Sequence, residues 1–169
     1  KLTIVTGTAP HGQGIETSFA MIAAEILQIP IDDINVQFGD TAIMPYGQGT
    51  GASHSLPVGG PAVYKAAHRI RDKMHKLAVH KLGLDADSLI FDNGKFTDKK
   101  NPKKTITIQE VAKAAYYGAE VPPDMEPGLE DICFFHPSGM VFSFGSHICQ
   151  VEVDPETGDI SILKYFAVG

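Results

Sequence analysis

Two glycine-rich stretches hold most of the residues in this sequence whose types and spacing could meet a ligand. The first reads Thr6-Gly7-Thr8-Ala9-Pro10-His11-Gly12-Gln13-Gly14-Ile15-Glu16-Thr17. Before it, residues 2–6 alternate as a strand does. After it, Phe19, Ile22, Ala23, Ile26 and Leu27 recur at helical spacing until Pro30 stops the pattern. A loop between a strand and a helix N-terminus offers free backbone amides and the positive end of the helix dipole, so its natural ligand is an anion, phosphate above all. The Walker A motif is excluded, because Gly7 and Gly12 are followed by Gln13-Gly14 rather than Lys and Ser/Thr. The dinucleotide fingerprint is closer: Gly12 to Thr17 reads G-x-G-x-x-T, with Thr where helix–strand packing asks for a third small residue. Taken alone, this loop reads equally as an anion site and as a glycine turn that merely reverses the chain.

The second stretch is Tyr46-Gly47-Gln48-Gly49-Thr50-Gly51-Ala52-Ser53-His54-Ser55. Its glycines let backbone approach a ligand, and Thr50, Ser53, His54 and Ser55 supply hydroxyl or imidazole donors. Such a strip can grip a polar molecule that makes many hydrogen bonds, or it can be a surface loop. No nucleophile elbow or Ser-His-Asp order surrounds His54, so its expected role is a donor facing the ligand or solvent. The seven histidines show no H-E-x-x-H spacing, and Cys133 and Cys149 form no cluster. No residue is therefore nominated as a metal ligand. The two cysteines lie in apolar runs, which predicts reduced core residues in a cytoplasmic protein.

A net charge of -6 argues against a nucleic-acid surface. Lys65, Arg69, Arg71, Lys73, Lys76 and Lys81 do crowd one segment, but at the polar positions of an amphipathic helix, where they are expected to meet water. No apolar run approaches the ~20 residues that cross a bilayer.

The elements that must position both loops follow from periodicity. A strand over residues 2–6, a helix from Ile15 and a strand over Ile34 to Phe38 make a β-α-β unit. The long loop 42–60 then leads into a helix from Pro61 to about Leu82, with Gly83 as its cap. Leu89 to Phe91 and Asn93-Gly94 predict a small hairpin, residues 99–104 a solvated loop, and Thr107 with Glu110 a capping box opening a helix that ends near Gly118. Residues 132–135, 140–153 and 160–168 read as strands, and Asp154 and Glu156 as turn residues rather than a catalytic pair. The predicted class is α+β: a two-layer α/β arrangement with mixed sheets, a β-α-β unit first and a β-rich C-terminal segment. Residues 1–121 form the α/β unit and 122–169 the β-rich part. Both ends abut strand-like runs, so the chain is expected to be a piece of a longer subunit.

Together the motifs form a pattern. Gly12-Gln13-Gly14-x-x-Thr17, Ala23-Ala24-Glu25, Gly39-Asp40-Thr41, Gly49-Thr50-x-x-Ser53-x-Ser55 and Gly60-x-Ala62-Val63 occur in this order. Phe144-Gly145-Ser146-His147 and Val151-Glu152-Val153-Asp154-Pro155-Glu156-Thr157-Gly158 follow. This resembles the molybdopterin-binding domain in the large subunit of molybdenum hydroxylases, the family of xanthine dehydrogenase, aldehyde oxidase and carbon monoxide dehydrogenase. The resemblance covers nearly the whole chain and is weakest over residues 84–128.

The resemblance implies that Gly12, Gln13, Gly14, Thr50, Gly51, Ala52, Ser53, His54 and Ser55 contact molybdopterin or molybdopterin cytosine dinucleotide. The family commonly has Gly-Ser-Arg-Ser where this chain has Ala52-Ser53-His54-Ser55, so a fixed cation gives way to a titratable one and phosphate affinity falls. It also implies molybdenum in the full enzyme, a small-molecule substrate, and as partners the rest of the large subunit with iron–sulfur and flavin subunits or domains. Family members use a glutamate base in a late Gly-Glu motif. This sequence contains no match to that motif, so no catalytic residue is nominated and the isolated chain is expected to be inactive, empty of cofactor and able to form homo-oligomers through apolar patches. Two rival readings accompany this one. One is a nucleotide-binding dehydrogenase with Gly12 to Thr17 on a pyrophosphate and Asp40 on a ribose. The other is an interaction module docking through its terminal hairpin.

Overall fold

The computed structural model describes residues 1–169 except Pro45, Met140, Ser143 and the side chain of Ala119. It divides into two compact units, Lys1–Ser138 and Gly139–Gly169.

The first unit opens with strand β1 (Leu2–Thr6), helix α1 (Ile15–Leu27) and strand β2 (Ile34–Phe38). The strands pair in parallel from Leu2↔Ile34 to Thr6↔Phe38. Parallel strands need a crossover, and α1 supplies it, burying Ile15, Phe19, Ala20, Ala23, Ile26 and Leu27 on one face. Helix α2 (Gly60–Leu82) follows a π-type turn over Ser55–Gly59 and ends at Gly83, which takes the left-handed conformation. Its small residues let α1 come close. A Cβ at Gly59 would sit 2.5 Å from Cζ of Phe19, and one at Gly60 would sit 3.4 Å from Cδ1 of Ile22. The starts of both helices are thereby held side by side.

Strands β3 (Leu89–Asp92) and β4 (Lys95–Asp98) form the expected hairpin, with Asn93 and Gly94 both at positive φ as its two-residue turn requires. A third strand, β5 (Thr105–Thr107), pairs antiparallel with β4; three residues are too few for periodicity to reveal. Phe96 of β4, Leu77 of α2 and Val111 of helix α3 (Ile108–Ala115) are fully buried in one core. The capping box at Thr107 is present, while α3 ends at Ala115, earlier than the Gly118 that the pattern suggested. The α+β class, with its β-α-β unit first, is what the chain adopts.

The largest departure from the sequence reading concerns the basic stripe of α2. Four of its cations meet a partner off the helix instead of water alone. Lys81 pairs with Glu120 at 2.9 Å, Lys73 donates to the carbonyl of Glu130 at 3.3 Å, Arg69 pairs with Asp131 at 3.3 Å, and Lys65 lies 4.7 Å over the ring of Phe135. As the helix is read backwards its partners advance, so residues 120–135 run along α2 as an antiparallel strap. Exposed ion pairs add little by themselves. Val121 is buried in the core, Met125 and Leu129 pack against it, and the Gly128 amide donates to the Ala115 carbonyl at 2.7 Å. Residues 132–135 are consequently no strand. The compact unit continues through Ser138.

The second unit is a hairpin of β6 (Ser146–Val153) and β7 (Ile160–Val168). The expected strand began at Met140, which lies outside the described residues; pairing starts at Ser146. Asp154 accepts amide hydrogen bonds from Glu156 at 2.8 Å and Thr157 at 3.1 Å, which hold its carboxyl below the ordinary Asp range and confirm its turn role. A bulge at Gln150/Val151 pairs Gln150 with Lys164 and Val151 with Ile162, leaving Leu163 extra. That extra residue moves Ile160 and Ile162 onto the face of Tyr165 and Ala167, opposite His147, Cys149, Val151 and Val153. Cys149 is exposed and Cys133 half-buried, so neither is the core residue that its apolar run suggested.

The capping box allows a direct test. Thr107→Ala should lower stability by about 1 kcal/mol in thermal or chemical unfolding. Hydrogen bonds from Thr107 hold the Glu110 carboxyl below its usual range, so its contribution is present above the unfolded-state pKa and is lost as pH falls through the lowered one. Glu110→Gln should keep the cap yet flatten that acid-side loss in melts run across pH 3 to 7, where a slope identical to wild type would refute the assignment.

Candidate functional site

The site is built where β1 ends. Thr6 hands over to Gly7, whose backbone lies directly against Gly47. A Cβ on Gly7 would stand 2.5 Å from Cα of Gly47 and from the Tyr46 carbonyl oxygen, and one on Gly47 would stand 2.4 Å from Cα of Gly7. These neighbours are backbone atoms that cannot swing aside, so only glycine fits at either position. The contact is sealed by the Gly49 amide donating to the Gly7 carbonyl at 3.0 Å.

One residue pair further along, the loops are tied by a hydroxyl. Thr50 Oγ1 accepts from the Ala9 amide at 3.2 Å and donates to the Ala9 carbonyl, although 41 positions separate them. It also lies 2.8 Å from Oγ of buried Ser55. A hydroxyl has one proton, so with that of Thr50 directed at Ala9, Ser55 must donate to Thr50. The result is a closed relay joining the first loop, the second loop and the turn that starts α2.

Each loop then ends in a helix start. Gly14 precedes α1 in the left-handed conformation with φ 74°, and no side chain caps the helix, so its first-turn amides are left for an outside acceptor. Gln13 folds back, accepting from the His11 amide and reaching the Ala9 carbonyl at 3.5 Å. In the second loop His54 donates its amide to Gly51 at 3.1 Å, and Val58 donates to the His54 carbonyl at 2.9 Å, winding the chain toward α2. Ala52 and Ser53 hold φ of 49° and 58°, a left-handed conformation that costs a residue with a Cβ on the order of 1 kcal/mol.

Of the residues singled out from the sequence, Gly12, Gln13, Gly14, Gly51, Ala52, Ser53 and His54 are exposed, Thr50 is half-buried and Ser55 is buried. The structure brings their two loops together through Thr50. Gly7, Ala9 and Gly47, which make the junction, were not singled out, because no spacing rule links positions so far apart. Asp40, the rival ribose ligand, accepts the Ala42 amide at 2.9 Å and so serves the turn after β2.

The donor set fits a phosphate-bearing, multiply hydrogen-bonding cofactor. Residues 46–60 contain no acid, residues 6–17 contain only Glu16, and both segments combine exposed glycine backbone with amide and hydroxyl side chains. Backbone amides at an uncapped helix start are suitable phosphate partners.

The comparisons with known proteins agree. Residues 1–169 match the family model of the molybdopterin cofactor-binding domain, and the chain belongs to that family. It is 38% identical over 162 residues to the carbon monoxide dehydrogenase large chain of Afipia carboxidovorans, covering 96% of this chain and 20% of that one. It is 33% identical over 168 residues to the nicotine 6-hydroxylase large subunit of Paenarthrobacter nicotinovorans, covering 99% and 21%. Among solved structures, carbon monoxide dehydrogenase from Oligotropha carboxidovorans superposes with a TM-score of 0.83 at 38% identity, over 96% of this chain and 20% of that one. Quinoline 2-oxidoreductase from Pseudomonas putida 86 gives 0.78 at 34%, over 98% and 21%. The chain thus spans about a fifth of the length of these relatives.

The glycine junction separates two substitutions that look alike in sequence. Gly47→Ala should destabilise by roughly 1–3 kcal/mol through overpacking against backbone. A Cβ at Gly51 meets nothing within 4 Å, so Gly51→Ala should stay within about 0.5 kcal/mol of wild type. Equal melting curves for the two variants would refute the close approach.

Proposed function

We propose that the two glycine-rich loops bind a molybdopterin cofactor, as molybdopterin itself or as its cytosine dinucleotide, and that the chain works within the large subunit of a molybdenum hydroxylase. The observation that carries this reading is the Ala9–Thr50–Ser55 relay, which fixes two donor-rich loops and two helix starts as one surface. When bound, the cofactor supplies oxidation of a carbon centre with oxygen taken from water, and the protein supplies binding and orientation.

Each residue has a definite part in that task. Gly12 and Gly14 bare the backbone around the start of α1, so that its first-turn amides can hold phosphate oxygens. Gln13 adds a side-chain amide beside them. Thr50 and Ser55 hold the loops in register from beneath, while Gly51, Ala52 and Ser53 present backbone and hydroxyl to the pterin side. His54, replacing the usual arginine, offers a weaker partner to phosphate than a guanidinium would.

The relatives support a cofactor role rather than a substrate role for this stretch. Proteins named for carbon monoxide, nicotine and quinoline resemble the same residues, although their substrates share little chemistry. The substrate of the whole subunit is a small molecule, and electrons pass on to iron–sulfur and flavin subunits or domains. The β-rich segment supports a place in a larger subunit: β6 and β7 carry a face rich in apolar residues, of the kind that packs on the same or a neighbouring molybdopterin domain. Among the described residues no helix is long and apolar enough to cross a membrane. The two free thiols suit a reducing, cytoplasmic setting.

Molybdenum and pterin content of the purified intact protein tests the reading. Thr50→Val removes the relay and should lower retained cofactor about tenfold, in line with roughly 1.4 kcal/mol for a buried hydrogen-bonding group left unpaired. His54→Arg should raise retention at low salt by about twofold to fivefold, and the gain should shrink as salt is added. Unchanged cofactor content in Thr50→Val would overturn the loop assignment.

A further inference from the structure

We infer that Phe134, steadied by the ion pair of Asp131 with Arg69, is a positioning residue for the second glycine-rich loop. That loop lacks an apolar anchor of its own. From Gly47 to His54 it reads Gly-Gln-Gly-Thr-Gly-Ala-Ser-His, with no large apolar side chain to anchor it in a core. Two of its residues, Ala52 and Ser53, also hold the left-handed conformation, which persists only when the surroundings impose it. The apolar handle is Tyr46, immediately before Gly47.

Two groups hold the Tyr46 side chain. Its hydroxyl accepts from Nε2 of Gln48 at 2.8 Å, tying the ring to the loop's own backbone path. Its ring meets Phe134 edge-on, with centroids 6.4 Å apart and planes at 63°, a favoured aromatic geometry. Tyr46 is 61% exposed and Phe134 63% exposed, so the pair contributes little to the core. The contact matters because of where it sits, one residue from the Gly7–Gly47 approach.

Phe134 is itself held by its neighbours on the strap. Asp131 pairs with Arg69 at 3.3 Å, Lys73 donates to the Glu130 carbonyl at 3.3 Å, and Lys65 stands 4.7 Å over the ring of Phe135. One continuous set of contacts therefore runs from the cationic face of α2, through residues 130–135, to Tyr46 and on to Gly47. The basic stripe holds the strap, and the end of the strap holds the loop. That the held loop is a cofactor surface rests on the function proposed above; the positioning itself rests on the contacts.

Hydrogen exchange in the intact protein tests the positioning, with the peptide covering residues 47–54 as the readout and α2 peptides as the internal reference. In Phe134→Ala the loop amides, Gly49 and His54 among them, should exchange roughly twofold to tenfold faster, while α2 is unchanged. Asp131→Asn should give a smaller acceleration, and Phe134→Tyr should restore the wild-type rate. Loop exchange that stays at the wild-type rate in Phe134→Ala overturns the proposal. So does acceleration of loop and α2 together, because Phe134 would then serve general stability. Molybdenum and pterin content of the same variants is read separately: faster exchange with full cofactor retention would keep the positioning role and count against the cofactor reading of the loop.

Discussion

The approach of Gly7 to Gly47 is the constraint on which the rest of the site depends. Two backbones touch where even one methyl group would stand 2.4–2.5 Å from a main-chain atom. With that contact made, Gly49 reaches the Gly7 carbonyl, Thr50 reaches Ala9, and Ser55 closes the relay at the turn before α2. The same fit recurs at the other end of the turn, where Gly59 admits the ring of Phe19 from α1. Absent side chains thus do as much to shape the site as present ones. Glycine here provides room as well as conformational freedom.

Local elements were legible in the sequence wherever a strong local rule operates. The parallel strands, α1, α2 with its Gly83 cap, the Asn93-Gly94 hairpin and the Thr107–Glu110 box all follow from periodicity or from capping chemistry acting over a few residues. Asp154 was legible for the same reason, because its partners are two and three positions away. The site loops were legible as motifs, though their junction was not. Ala9 and Thr50 are brought together by the fold of α1 and β2 between them, and no local pattern encodes that distance.

The strap shows a second limit on what sequence reveals. Lysines and arginines on one helix face do usually meet water, and composition cannot distinguish that case from this one. What changes the outcome here is the apolar anchoring of Val121, Met125 and Leu129, which brings Glu120, Glu130 and Asp131 within reach of α2. The ion pairs are a consequence of that packing and fix its direction. The prolines at 122, 123 and 127 read as a linker, yet they rigidify a segment that is packed. Expected strand 132–135 fails for a related reason: its side chains serve α2 and Tyr46, and no neighbouring strand stands beside it among the described residues.

The terminal hairpin forms a compact unit of its own. An isolated two-stranded hairpin is marginal in water, and an antiparallel sheet commonly has one apolar face and one wet face. Without its bulge, β7 would place Ile160 and Ile162 beside Lys164, and neither face would be consistently apolar. With Leu163 looped out, Val151, Val153, Ile160, Ile162, Tyr165 and Ala167 gather on one side with His147 and Cys149, while the other carries Gln150, Glu152, Ser161 and Lys164 together with Ile148, Phe166 and Val168. A bulge of this kind serves a sheet that has a face to bury.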